Sequence, residues 1–103
     1  LFAAFHYGAQ GLSMVREGET VAEGVRVRFP RRGDAVLQMV QDSAGTIVAI
    51  EEELILPARD QLARRGFYVE ATSALVWPAL QRLAADLPDP IVLVLTGSGL
   101  KNR

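Results

Sequence analysis

The chain has 103 residues, of which 50% are hydrophobic and 22% charged, a balance that indicates a globular domain and excludes a disordered one. Its formal net charge is −1, from 11 basic and 12 acidic residues, so composition gives no reason to expect nucleic acid or an anionic membrane as a partner. The absence of cysteine excludes disulfides and thiolate metal sites, and it is compatible with the cytoplasm, which is the expected location.

The first third of the chain predicts a short helix or buried segment, and then a strand. Residues 1–11 are apolar and aromatic, and their regular pattern ends at two glycines. Further along, Val25, Val27 and Phe29 alternate with arginines. This period of two predicts a strand with one solvent-facing side, which Pro30 ends.

The next segment predicts a second helix followed by a buried strand. Asp34 can cap this helix, because its side chain can accept hydrogen bonds from the free amides of the first turn, and Gly45 ends it. The run from Thr46 to Ile50 is continuous and rich in β-branched residues. It therefore predicts a strand that is buried on both faces.

A third predicted helix begins among three consecutive glutamates at residues 51–53, where negative charge suits the positive end of the helix dipole. Pro57 either kinks this helix or is the first residue of its regular part, and Gly66 ends it. The short apolar segment from Phe67 to Val69 then predicts another strand.

The last third of the chain predicts one more helix and a final strand. Thr72 or Ser73 can cap the helix, and Pro78 interrupts it early. Residues Ile91 to Leu95 form a continuous apolar run, which is far shorter than the roughly 20 residues of a membrane span and predicts a buried strand. The order β-α-β-α-β-α-β predicts a single α/β domain over residues 1–103, with a mostly parallel sheet.

Two short segments could carry a binding function. The Thr96-Gly97-Ser98-Gly99 turn follows a predicted parallel strand, at the sheet edge where open α/β folds bind ligands, although a plain strand-ending turn explains it equally well. Residues 70–74 combine a carboxylate with two hydroxyls between a strand and a helix. Spacing alone favours a simple helix cap there. His6 is the single histidine, so no metal site is expected.

Three segments, in order and with similar spacing, resemble the last third of the threonine synthases. They are Glu19 to Gly24, Glu70 to Ala74, and Val92 to Lys101. Together they resemble the fold type II (tryptophan synthase β-like) enzymes that depend on pyridoxal phosphate. The Leu-Thr-Gly-x-Gly-Leu-Lys pattern is more similar to threonine synthase than to the dehydratases and sulfhydrylases of that fold.

The resemblance implies a pyridoxal 5'-phosphate pocket between two α/β domains, with this chain supplying one wall. Thr96 matches the family threonine that hydrogen-bonds the pyridine nitrogen, and Gly97 follows it in the same turn. Glu70 and Ser73 match a family turn that borders the cofactor, although alanine replaces its usual proline. The Schiff-base lysine and the phosphate-binding loop are expected upstream. Lys101, the single lysine, follows the turn, so no catalytic residue is expected in this chain.

The expected function is therefore that of a C-terminal portion of a threonine synthase, which converts O-phosphohomoserine to threonine and phosphate, and which is inactive alone. The expected partners are the N-terminal part of the same enzyme, a small-molecule substrate and, as a possibility, further copies of the chain. The sequence begins at Leu1 instead of methionine, so its natural start is expected upstream. Three alternatives remain open: another fold type II lyase such as a threonine/serine dehydratase, a stand-alone α/β ligand-binding or regulatory module, and a homologue that has lost its chemistry.

Overall fold

The computed structural model describes residues 1–8, 18–26 and 30–102, without the side chains of residues 101 and 102. The α-helices in these ranges are α1 (Phe2–Tyr7), α2 (Gly33–Asp42), α3 (Ile55–Arg64), α4 (Ala71–Ala74) and α5 (Val76–Leu83). Single 3₁₀ turns lie at Glu23–Val25, Glu52–Leu54, Ala84–Asp86 and Gly99–Asn102. Within these described ranges, no helix is long and apolar enough to cross a membrane.

The chain divides into two compact units. Unit one consists of Leu1–Glu19 and Val27–Ala49, and unit two consists of Thr20–Arg26 and Ile50–Arg103. The described part of unit one contains α1 and α2, and unit two contains the other helices. Unit two therefore holds all the residues that the sequence singles out as candidate cofactor ligands.

Unit one contains the helix predicted after Gly33, and its first segment forms the helix that was one of two alternatives there. Helix α1 stops at Gly8, whose φ of 67° is readily adopted by glycine. The N-cap of α2 is Arg32, and Asp34 lies inside the first turn without making a side-chain cap hydrogen bond. The prediction that Asp34 caps α2 is therefore wrong. Its charge still lies at the favourable end of the helix dipole.

At the end of α2, the residue with a left-handed backbone conformation is Ala44, one position before Gly45, the glycine predicted to end the helix. Ala44 has φ of 56°, and the amide of Gly45 donates to the carbonyl of Val40 over 2.9 Å. Alanine in this conformation brings its Cβ too close to the following carbonyl. The turn is therefore closed by a residue that is less suited to it than glycine.

We expect Ala44→Gly to raise the free energy of unfolding by about 0.5–1 kcal/mol, because it removes this steric cost. Urea unfolding measures the change. Ala35→Gly, an exposed position inside α2, is the matched control and should lower the free energy of unfolding by about 0.5–1 kcal/mol. Equal destabilisation by both substitutions would contradict this account of the helix end.

The predicted parallel sheet is not found in the part of the chain that the structure describes. Residues 46–50 and 91–95 have no strand partner there, and residues 67–69 contribute a single antiparallel bridge, between Val69 and Ser98. Val25 belongs to a 3₁₀ turn, and residues 27–29 of the first predicted strand lie outside the described ranges. A strand needs a neighbour for its backbone groups. The sequence pattern identifies the apolar segments, but it does not identify which segments pair with one another as strands.

Unit two is held together by two clusters of small and branched apolar residues. One cluster contains Ala58, Leu62, Val69 and Ala74, with Trp77 and Leu95 packed against it. The other contains Ala22, Ile55 and Ala71, with Ile50 and Leu75 packed against it. Among the alanines of the two clusters, Ala58 belongs to α3, and Ala71 and Ala74 belong to α4. Their small side chains allow these elements to approach closely.

Two prolines explain where the helices of unit two begin. Pro57 is the third residue of α3, and Pro78 is the third residue of α5. An amide at these positions would otherwise bond to the carbonyl four residues earlier, at Glu53 or Ala74, and the proline ring crowds that carbonyl. The regular helix therefore starts after those residues. The early interruption predicted at Pro78 is confirmed, whereas the interpretation of Pro57 as the first residue of the regular helix is wrong, because α3 begins two residues before it. The positive φ of Gly66 (94°) confirms the end of α3.

Candidate functional site

The glycine-rich turn pairs with the segment that precedes α4. The amide of Glu70 donates to the carbonyl of Gly97 over 3.0 Å, and the amide of Gly99 donates to the carbonyl of Tyr68 over 3.0 Å. These bonds flank the antiparallel bridge between Val69 and Ser98. Residues about 30 positions apart in the sequence, from two of the three segments of the resemblance, therefore lie side by side.

Both glycines of this turn are closely covered by side chains of the neighbouring segment. A Cβ atom at Gly99 would lie 2.6 Å from Cε1 of Tyr68, and a Cβ atom at Gly97 would collide with the carboxylate of Glu70. Tyr68 and Glu70 are two residues apart, so in an extended segment their side chains leave on the same face. From the sequence, this turn could be either a ligand-binding edge or a plain strand-ending turn. In the structure their immediate role is close packing against residues 68–70.

Ser73 connects α4 to the first residue of the turn. Its hydroxyl oxygen accepts a hydrogen bond from the amide of Thr96 over 2.9 Å, and the residue is only 4% exposed. Thr96 itself is exposed, and no residue in the described ranges hydrogen-bonds to its hydroxyl. Val92 and Val94, at the alternating positions before Thr96, are also exposed. The backbone of Thr96 is thus fixed while its hydroxyl remains available to a ligand.

Thr72 holds a third segment against the same short helix. The amide of Gly24 donates to the hydroxyl oxygen of Thr72 over 2.9 Å, and a Cβ atom at Gly24 would lie 2.9 Å from that oxygen. The N-cap residue of α4 is Glu70, without a side-chain cap hydrogen bond. The prediction that Thr72 or Ser73 caps a helix is therefore wrong. Both hydroxyls instead fasten distant segments to α4.

Glu52 fixes the start of the segment that contains Gly24. One carboxylate oxygen accepts from the hydroxyl of Thr20 over 2.6 Å, and the other accepts from the amide of Val21 over 2.8 Å. Ala22, the next residue, is fully buried. The Thr20 hydroxyl, followed by the Val21 amide, lowers the pKa of Glu52 below its ordinary value of 4.5, because both bonds favour the ionised carboxylate.

Glu52→Gln should flatten the loss of stability in acid. Since the pKa of Glu52 is lowered in the folded state, its ionised form stabilises the fold above pH 4.5, and this contribution is lost as the pH falls through the folded-state pKa. Urea unfolding at successive pH values should show a shallower decline below pH 4.5 in the variant. The effect is modest because the carboxylate is solvated. Glu53→Gln, an exposed neighbour, is the control, and equal slopes in all three proteins would contradict the assignment.

The structure brings the four predicted site residues together, with Glu70 and Ser73 at the start of α4 and within it, and Thr96 and Gly97 in the turn that α4 contacts. Glu70 and Ser73 flank Thr96 and Gly97 through one backbone and one side-chain hydrogen bond. Sequence reasoning missed Tyr68, whose ring covers Gly99. The signal that could have found it is its spacing of two from Glu70 in a predicted strand.

The chain belongs to the family described as "Pyridoxal-phosphate dependent enzyme", whose sequence profile matches residues 3–97. This membership places it among the fold type II enzymes that use this cofactor. Pyridoxal phosphate, the cofactor expected from the resemblance, is thus the cofactor of the family.

The chain is similar to curated threonine synthases from several organisms. It is 32% identical to that of Methanocaldococcus jannaschii, 31% identical to that of Methanosarcina acetivorans, and 30% identical to that of Halalkalibacterium halodurans. These matches cover 96%, 96% and 86% of the chain, but only 26%, 26% and 27% of the relatives. The chain therefore spans about a quarter of their length. No solved structure matches it.

The described residues fit one end of this cofactor. Thr96 is exposed, and its hydroxyl can donate to or accept from a pyridine nitrogen, while the Glu70 side chain lies close beside Gly97. The arrangement fits one side of a binding site for the aromatic ring.

Proposed function

We propose that this chain supplies the pyridine-nitrogen side of the cofactor pocket in a threonine synthase, which converts O-phosphohomoserine to threonine and phosphate. The observation that carries the proposal is that Thr96 is exposed, while its amide is bonded to Ser73 and the carbonyl of the next residue, Gly97, is bonded to Glu70. The identity of 30–32% to threonine synthases over most of the chain supports this choice of reaction within the family.

In this proposal Thr96 contributes a neutral hydrogen bond at the pyridine nitrogen. Pyridoxal phosphate supplies an electron sink for negative charge that develops on the bound amino acid. A hydroxyl carries no charge that would favour a protonated ring nitrogen, whereas a carboxylate would favour it. Thr96 therefore keeps the nitrogen largely unprotonated and moderates the sink, which suits β,γ-elimination and replacement. Gly97 and Glu70 border the ring.

The remaining parts of the site are proposed to come from the rest of a two-domain enzyme. In this view residues 1–103 form a single α/β domain, and the N-terminal part of the same enzyme supplies the Schiff-base lysine and the phosphate-binding loop. The coverage of about a quarter of each relative supports this division. We expect the 103-residue chain alone to be inactive.

Product analysis with the full-length enzyme distinguishes the proposal from its main alternatives. We expect O-phosphohomoserine to yield threonine and phosphate in equal amounts, and threonine and serine to yield no keto acid. Keto acid from threonine, with no phosphate release from O-phosphohomoserine, would favour a dehydratase and contradict the proposal. A full-length protein that binds no pyridoxal phosphate would favour a stand-alone module or a homologue without the chemistry.

A further inference from the structure

We propose that Ser73 is a positioning residue, which acts on the cofactor through the backbone of Thr96 and makes no contact with the cofactor itself. This inference rests on the proposed function and changes the role of one residue within it. The resemblance alone places Ser73 at the border of the cofactor. In the structure Ser73 contacts Thr96, and Thr96 in turn is the residue proposed to contact the cofactor.

Ser73 is committed to the turn by burial and by its hydrogen bond. It is 4% exposed, and its neighbours Ala71 and Ala74 are 5% and 0% exposed, so the short helix cannot turn its hydroxyl outward without unpacking. The hydroxyl oxygen already accepts the amide of Thr96 over 2.9 Å. A move of Ser73 toward a ligand would leave that amide without its partner, which is costly for a partly buried group.

The residue that precedes this short helix holds the turn one residue further along. The amide of Glu70 donates to the carbonyl of Gly97, whereas the bond to Ser73 is made by the amide of Thr96 itself. Because the rotamers open to a side chain depend on the backbone that carries it, the bond to Ser73 restricts the directions in which the Thr96 hydroxyl can point.

A double-mutant cycle in the full-length enzyme tests the inference, with the dissociation constant and the absorption spectrum of pyridoxal phosphate as readouts. We expect Ser73→Ala to weaken cofactor binding about tenfold, which corresponds to the loss of one well-placed hydrogen bond. The absorption of the bound cofactor should shift as well. In a Thr96→Val background the same change should weaken binding less than about twofold, because the group through which Ser73 acts is gone. Ser43→Ala, which removes an exposed hydroxyl bonded to the carbonyl of Val40, is the matched control and should change neither readout.

The outcomes separate the inference from the proposed function. An equal loss from Ser73→Ala in both backgrounds would show direct contact with the cofactor and would overturn the inference alone. The absence of any effect of Ser73→Ala in the wild-type background would overturn it as well. No effect of Thr96→Val would instead contradict the proposed function. If Ser73→Ala does not fold, as judged by circular dichroism, Ser73→Cys gives the same cycle, because sulfur is a weaker acceptor at the same position.

Discussion

Leu62→Ala is expected to lower the free energy of unfolding by about 2–5 kcal/mol, the usual cost of a large cavity in a packed core. Leu62 is 2% exposed and lies in the cluster that joins α3 to both sides of the candidate site. Val69 and Leu95, which pack in that cluster, belong to the two segments that meet beside the glycine-rich turn. The cavity should therefore loosen the turn as well as the core.

Urea unfolding measures the loss, with the fluorescence of Trp77 as the signal. Trp77 is the single tryptophan and packs against this cluster. Its indole donates to Oε1 of Gln61 over 2.7 Å, so its environment should change on unfolding. Leu56→Ala, on the same helix but 41% exposed, is the control and should cost less than about 1 kcal/mol. Similar losses in both variants would contradict the assignment of this core.

Thr96→Val is expected to weaken the binding of pyridoxal phosphate to the full-length enzyme by about 10- to 100-fold, since valine keeps the shape of threonine but removes the hydrogen bond. The unfolding free energy should change little, because Thr96 is exposed and no described residue bonds to its hydroxyl. Equilibrium dialysis of the cofactor gives the affinity. Thr96→Ser restores the hydroxyl and should retain most of the binding. Equal affinity in the wild type and the valine variant would contradict the role of Thr96.

The helices of this chain could be predicted because their signals are local. Pro57 and Pro78 act within one helical turn, and Gly66 ends α3 through its own backbone conformation. The same reasoning was less accurate for single hydroxyl and carboxylate groups. Asp34, Thr72 and Ser73 all have side chains that can cap a helix, but the second two have partners far away in sequence. Nothing in their local sequence distinguishes the two uses.

The sheet could not be predicted in the same way, because a strand is defined by its neighbour. The apolar run at residues 91–95 has the composition of a buried strand, yet Val92 is 80% exposed and Val94 66% exposed. The proximity of the candidate site residues was easier to predict than the sheet, and their role toward the cofactor stays a prediction. Its residues occur in two short segments, and the pairing of Val69 with Ser98 brings those segments together.

The nitrogen resonance of ¹⁵N-labelled pyridoxal phosphate in the full-length enzyme tests the central claim most directly, because it reports the state of the atom that Thr96 is proposed to bind. We expect the resonance of a neutral, hydrogen-bonded pyridine nitrogen, which is preserved in Thr96→Ser and displaced in Thr96→Val. A protonated nitrogen in the wild type, or a resonance that the valine variant leaves unchanged, would contradict the claim that this chain supplies the pyridine-nitrogen side of the pocket.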